Sequence, residues 1–198
     1  MNSNWLDDKG LRKFPSFLWL FILCLGVCLA IPGSRLYGLA SKPKAEQSIP
    51  AFLKLAPDLY RGGQPSEEGF NYLKSLGVKT IVNFRNEEWM IKWEKSKAEQ
   101  YGMDYINIPW QIYQKSDPKV MERFFQVLED KSKRPLFFHC QHGVDRTGVM
   151  TALYYIKYEG YSPQEAYQKA TAIFPPRRLW LLFVKQKFRF YTEQIKEA

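Results

Sequence analysis

The sequence predicts an α/β sandwich: a central, mostly parallel sheet flanked by helices and preceded by an N-terminal hydrophobic helix. Three observations carry that expectation. Short apolar or β-branched runs alternate with helix-period segments as far as His139, helix-period segments alone follow, and one long uncharged apolar stretch lies near the N-terminus.

The 198 residues, 45% hydrophobic and 16% aromatic, supply a core for one domain with an appendage. A formal charge of +9, from 29 Lys and Arg against 20 Asp and Glu, favours an anionic partner. No zinc-finger spacing, arginine-rich tract or RNA-binding signature accompanies the charge, so nucleic acid is not expected.

Residues 1–13 form a polar N-terminal segment, and residues 14–31 are a hydrophobic signal or anchor, uncharged from Phe17 to the end. Lys9, Arg12 and Lys13 precede it as an n-region does, and Gly38-Leu39-Ala40 offers a small-x-small cleavage site. An uncleaved single N-terminal span, with the protein membrane-associated, is favoured over export after signal cleavage. Cys24 and Cys28 fall inside this stretch as small hydrophobes, which leaves Cys140 as a lone thiol. Residues 32–50, rich in Gly, Ser, Pro and Lys, read as a linker, and the folded domain is expected over residues 51–198.

Within the domain, Leu59-Tyr60-Arg61 is a strand closed by Gly62-Gly63, and Ser66 caps a helix whose Phe70, Leu73 and Leu76 share a face until Gly77. Residues 78–84 are a buried strand. A helix over 87–100 rests on Trp89 and Trp93 one turn apart, and residues 105–108 form a strand ended by Pro109. Asp117-Pro118 opens a helix with Val120, Phe124, Val127 and Leu128 on its buried side. Residues 135–139 are the next strand and 147–158 an apolar helix; Ser162-Pro163-Gln164-Glu165 is a capping box. Pro175-Pro176 breaks the helix that follows, and Leu179, Leu182, Phe183 and Phe190 support a last amphipathic helix.

The chemistry concentrates between the strand ending at His139 and the helix beginning near Thr147. Cys140-Gln141-His142-Gly143-Val144-Asp145-Arg146 would turn successive backbone N–H groups inward and add the positive end of a helix dipole, which makes an anion cradle. Arg146 adds a planar fork that matches two phosphate oxygens. The same field favours the thiolate of Cys140, the nucleophilic form. Gly143 lets the backbone pass close to a bound oxyanion.

His-Cys, five residues, then Arg-Thr is the signature by which the sequence resembles the protein-tyrosine-phosphatase superfamily. The upstream runs from Tyr60 to Pro65 and from Val82 to Arg85 resemble compact dual-specificity-type members. The resemblance implies a cysteine-phosphatase fold, Cys140 as nucleophile, Arg146 as phosphate clamp, Thr147 steadying the thiolate, and His139 ordering the loop from behind. Residues Gln141 to Arg146 would bind the phosphate. Arg61, Gln64 and Arg85 match recurrent positions that either bind or brace. No cofactor is expected, and no His, Asp and Cys cluster has metal-ligand spacing.

The general acid is the open point. Such phosphatases carry an Asp on a separate loop to protonate the leaving oxygen, yet residues 107–116 contain no acidic side chain. Asp117 follows that loop but suits a helix cap; Asp145, inside the Cys140 loop, resembles the acid of lipid-phosphatase branches or pairs with a base such as Arg85. The expected substrate is a phosphorylated protein or small phosphomonoester in a shallow pocket, with an inositol phosphate or phosphoinositide as the second reading and a silent phosphate-binding module as the third. His142 at the rim and Arg177 and Arg178 at the last helix are further candidate contacts.

Overall fold

The computed structural model describes residues 47–172, 175 and 181–197. The hydrophobic segment 14–31, Cys24 and Cys28, residues 32–46 of the expected linker, Arg177, Arg178 and Leu179 lie outside them. The chain divides into Met1–Ser41, outside the described residues, and a compact unit over Lys42–Ala198. No helix among the described residues is long and apolar enough to cross a membrane.

Five strands form one sheet: β1 (Leu53–Ala56), β2 (Leu59–Gly62), β3 (Thr80–Asn83), β4 (Asp104–Asn107) and β5 (Leu136–His139), in the order β1-β2-β5-β3-β4. Only β1 runs antiparallel, against β2; the other neighbours pair in parallel. Every residue of β5 is buried, which is why Leu136 to Phe138 read as a continuous apolar run rather than an alternating one. β1 is absent from the sequence expectation because it is a short, half-exposed edge strand without an apolar run.

The helices are α1 (Glu67–Ser75), α2 (Glu88–Gln100), α3 (Pro118–Glu129), α4 (Asp145–Glu159), α5 (Pro163–Thr171) and α6 (Leu181–Glu197). Their starts follow the sequence chemistry. Ser66 caps α1 through the Gly69 N–H, Asp117 caps α3 with Pro118 in the first turn, and Ser162 with Glu165 forms a reciprocal capping box on α5. Gly77 takes a φ of 72° just after α1, the left-handed conformation that lets the chain leave the helix.

Two helices lie where expected but bury other faces. In α2 the tryptophans that suggested it are exposed, Trp89 by 68% and Trp93 by 37%, and the residues turned inward are Glu94 and Ala98. In α6, Leu182 is 80% exposed and Phe183 37%, while Val184, Lys187 and Tyr191 face the core.

Strand alternation divides the interior. One core gathers Leu59, Val82, Leu136, Phe138 and Cys140 with residues of α3 to α6; the other gathers Tyr60, Ile81 and Phe137 with Phe70, Leu73 and Ala98 of α1 and α2. Ser48 and Ile49 are part of the packed unit, since Ser48 O accepts from Ser66 N and Ile49 is buried in the second core.

Candidate active site

β5 ends at the C-terminal edge of the parallel sheet, where open α/β sheets place ligands. The chain leaves it at Cys140, which is 3% exposed, and re-enters regular structure at Asp145, the first residue of α4. The loop between is held tightly. Gly143 has a φ of 72°, and a Cβ there would strike the backbone of Gly62 and Gly63 at the end of β2. Only glycine meets both demands. Gln64 N donates to Gln141 O at 3.1 Å, so the turn after β2 is stitched to the loop.

Arg146 and Asp145 line one pocket of about 290 Å³ with Gln141, His142, Asn86, Glu87, Gln111, Ile112 and Tyr113. Nη1 of Arg146 donates to Phe84 O at 3.0 Å, Asn86 Oδ1 at 3.2 Å and Trp110 O at 3.2 Å. Three acceptors from two loops therefore aim the guanidinium. Thr147 is fully buried and its Oγ1 donates to Gly62 O at 3.3 Å. Gln141 and His142 are exposed, Val144 half-buried.

Behind the loop stand side chains that the sequence did not resolve. Arg61 is fully buried and donates to Gly143 O and, at 3.4 Å, to Ala170 O, so it ties the loop to α5. Burial pulls its guanidinium down to about 10, against the raising influence of Cys140 and Tyr155, which leaves it protonated at neutral pH. Arg85 pairs with Glu87 at 3.2 Å and donates to Gln64 Oε1 at 3.2 Å. These residues brace.

His139 and Glu94 are both fully buried, with Nε2 2.9 Å from Glu94 Oε1 and Nδ1 3.1 Å from Cys140 O. Glu94 also accepts from Gln64 at 2.8 Å and Asn83 at 2.5 Å. Nothing in the local sequence of α2 distinguishes Glu94 from its solvated neighbours Glu88 and Glu99; only burial does.

The two acid candidates separate. Asp117 is exposed and accepts from Lys119 N at 3.0 Å as the cap of α3, outside the pocket; Asp145 lines it. A third carboxylate, Glu87, also lines the pocket. Burial raises its pKa, but the hydrogen bonds and charge of Arg85 outweigh burial and hold it below the usual carboxylate range. Glu87 is thus a poor proton donor. The loop that lacks an acid is fixed from α6: buried Lys187 donates to Gln114 O and, at 3.1 Å, to Ser116 Oγ, and Trp110 packs edge-on against Tyr191.

A family model described as DSP-PTPase phosphatase fused to NAD+ kinase matches residues 46–174. The chain is similar to the dual specificity protein phosphatase TpbA of Pseudomonas aeruginosa, 27% identical over 116 residues that cover 59% of this chain and 51% of the relative. It is 32% identical to NAD kinase 2, chloroplastic, of Arabidopsis thaliana over 97 residues, 47% of this chain and 10% of that one. An inositol diphosphatase of the same plant is 28% identical over 103 residues, covering 46% and 48%. The aligned part thus spans about half or less of these relatives' lengths. Among solved structures, P. aeruginosa TpbA superposes with a TM-score of 0.60 at 23% identity, over 70% of this chain and 83% of that one. The core catalytic domain of a PP-IP phosphatase from S. cerevisiae gives 0.55 at 18%, over 74% and 90%. Both likenesses establish the fold.

Proposed function

The chain belongs to the DSP-PTPase family, a compact dual-specificity-type branch of the protein-tyrosine-phosphatase superfamily, and from that premise we propose that it hydrolyses phosphate monoesters, phosphotyrosine in proteins first, through a phosphocysteine on Cys140. The observation that carries this reading is the loop itself, with Cys140 at its buried base and Gln141, His142, Asp145 and Arg146 lining the pocket above it. The Cys140 thiolate attacks phosphorus, the S–P bond forms and the P–O bond to the leaving group breaks. Backbone N–H groups of the loop and the Arg146 fork hold the equatorial oxygens. The hydrogen bonds from Arg146 to Phe84 O, Asn86 Oδ1 and Trp110 O all use Nη1, so in this reading its Nε–Nη2 edge meets the phosphate. Asp145 gives its proton to the leaving oxygen and recovers one from the water that hydrolyses the phosphocysteine. Thr147 turns from Gly62 O to the sulfur as the thiolate is released.

The rim favours an aryl ester: Ile112 and the 56%-exposed Tyr113 offer a surface for a ring, and Glu87, held ionised by Arg85, repels additional phosphates. A second reading, an inositol phosphate or pyrophosphate, draws support from Asp145 in the pocket and from the similarity to an inositol diphosphatase. A panel of phosphopeptides, inositol phosphates and phosphoinositides decides between them. Turnover should persist in excess chelator and vanish in Cys140→Ser; hydrolysis by that variant would overturn the assignment.

The acid is tested by the leaving group. Asp145→Asn should slow a phosphotyrosine peptide by about a hundredfold or more and an activated nitrophenyl ester much less. Asp117→Asn should cost at most about 1 kcal/mol of stability and slow both little, since Asn also caps. The reverse pattern would exchange the roles. Residues 14–31 act in this proposal as a single membrane span; a mature chain starting near Ser41 would sink that part in favour of a cleaved signal.

A further inference from the structure

Glu94 is a fully buried carboxylate on a helix that otherwise turns only Ala98 inward, and nothing in the hydrolysis just described uses it. Its surroundings fix where its proton is. Oε1 accepts from Gln64 Nε2 at 2.8 Å; Oε2 accepts from Asn83 Nδ2 at 2.5 Å and, more weakly, from Tyr105 OH at 3.4 Å. Three neutral donors converge on one carboxylate, the arrangement that favours its ionised, acceptor-only form.

The imidazole of His139 lies between this carboxylate and the nucleophile. Nδ1 is 3.1 Å from Cys140 O, a carbonyl that can only accept, so Nδ1 carries hydrogen. Nε2 lies 2.9 Å from Glu94 Oε1, an ion-pair distance at an angle off the ideal for a hydrogen bond. A bare Nε2 there would set lone pair against lone pair. One proton must sit between the two groups, and the donors on Glu94 leave it on the ring.

We propose that Glu94 is a positioning residue that holds His139 as an imidazolium, and that this buried cation, joined directly to Cys140, fixes the base of the loop and favours the thiolate. The proposal rests on Cys140 being the nucleophile. A buried ion pair is poor evidence for added stability, because desolvation offsets its attraction, so a structural role alone gives little reason for a charge here. The other charged and titratable groups around the ring and Cys140 are consistent with it. Tyr105, from β4, donates to Glu94; Arg85, after β3, is engaged by Glu87 and Gln64; Arg61, from β2, sits on the opposite face of the sheet, where its charge couples to Cys140. The thiol thus has a cation on each side of the sheet.

The chain has two histidines, so histidine labelled with ¹⁵N in the full chain gives two sets of ring signals, assigned with His142→Gln. His139 should show both nitrogens protonated at neutral pH. In Glu94→Gln the amide can donate to Nε2, so the ring should become neutral with hydrogen on Nδ1. Alkylation of Cys140 by iodoacetamide and kcat should then both fall about tenfold at about pH 6 and much less at about pH 8. A neutral His139 ring in the unsubstituted chain overturns the proposal even if Glu94→Gln fails to fold. An equal loss at both pH values overturns it too, because a mere brace has no such dependence. Ring signals and alkylation need no turnover: a chain that gives both as expected but hydrolyses no phosphate ester would sink the phosphatase reading and leave this one standing.

Discussion

On the face of the sheet toward α3 to α6, Leu59, Val82, Leu136 and Phe138 continue an apolar core to the level of Cys140, and the buried Arg61 reaches the loop from within it. On the face toward α1 and α2, the apolar row of Tyr60, Ile81 and Phe137 gives way one residue before the loop to Asn83 and His139, paired in register and closed over by Glu94. The first face supports the loop mainly by excluding water and filling space. The second supports it by charge and hydrogen bonding, where each polar group depends on the next. A lost methylene on the first face should therefore cost stability, whereas a lost amide on the second should cost stability and rate together.

The largest effect tests the apolar side. Phe124 is fully buried and meets both Phe84 and Phe138 edge to face, at centroid distances of 5.4 Å and 5.1 Å. Phe124→Ala should cost about 3–5 kcal/mol in denaturant unfolding, while kcat per folded molecule stays within about twofold. A large drop in kcat at full folding would show that this face does more than fill space.

Asn83→Ala probes the other side and should give a smaller loss of stability with a larger loss of rate. Asn83 is fully buried, donates to Glu94 and to Tyr105 OH at 2.8 Å, and accepts from Arg85 N at 2.7 Å. Removing it leaves buried partners unsatisfied, at a cost of about 1–3 kcal/mol. Turnover should fall about tenfold or more, since Glu94 loses its shortest donor and Arg85 its anchor beside the pocket. If Asn83→Ala and Phe124→Ala reduce kcat equally, the distinction between the faces fails.

How much of this was legible in the sequence follows the same division. The strand-loop-helix around Cys140, the caps at Ser66, Asp117 and Ser162 and the apolar strands were readable because their signals are local: a spacing, a capping side chain, a run of β-branched residues. The polar face was not. The resemblance alone implied a place for His139 behind the loop, without its partner; Asn83 sits at the end of a strand, where a polar residue reads as the ladder giving way to a loop, and Glu94 sits among Lys92, Lys95 and Lys97, where a charge reads as solvated. Their partners are supplied by tertiary packing between α2, β3 and β5. The same limit explains α6, whose apolar Leu182 and Phe183 face outward while Lys187 is drawn in to hold the loop after β4.

The smallest expected effect falls on the residue that suggested α2. Trp89 is 68% exposed in the first turn of that helix, so its replacement removes little buried area, and Ala is a better helix former than Trp. Trp89→Ala should change stability by less than about 0.5 kcal/mol. Trp93 is 37% exposed and stands edge-on to the buried Phe70 ring at 5.9 Å, so Trp93→Ala should cost more, about 1 kcal/mol. Measured together by denaturant unfolding, the pair asks whether α2 is held by its aromatic stripe or by Glu94 and Ala98. A Trp89→Ala loss as large as that of Asn83→Ala would mean that the stripe has a partner surface, and the helix would then be anchored from outside as well as through the buried carboxylate.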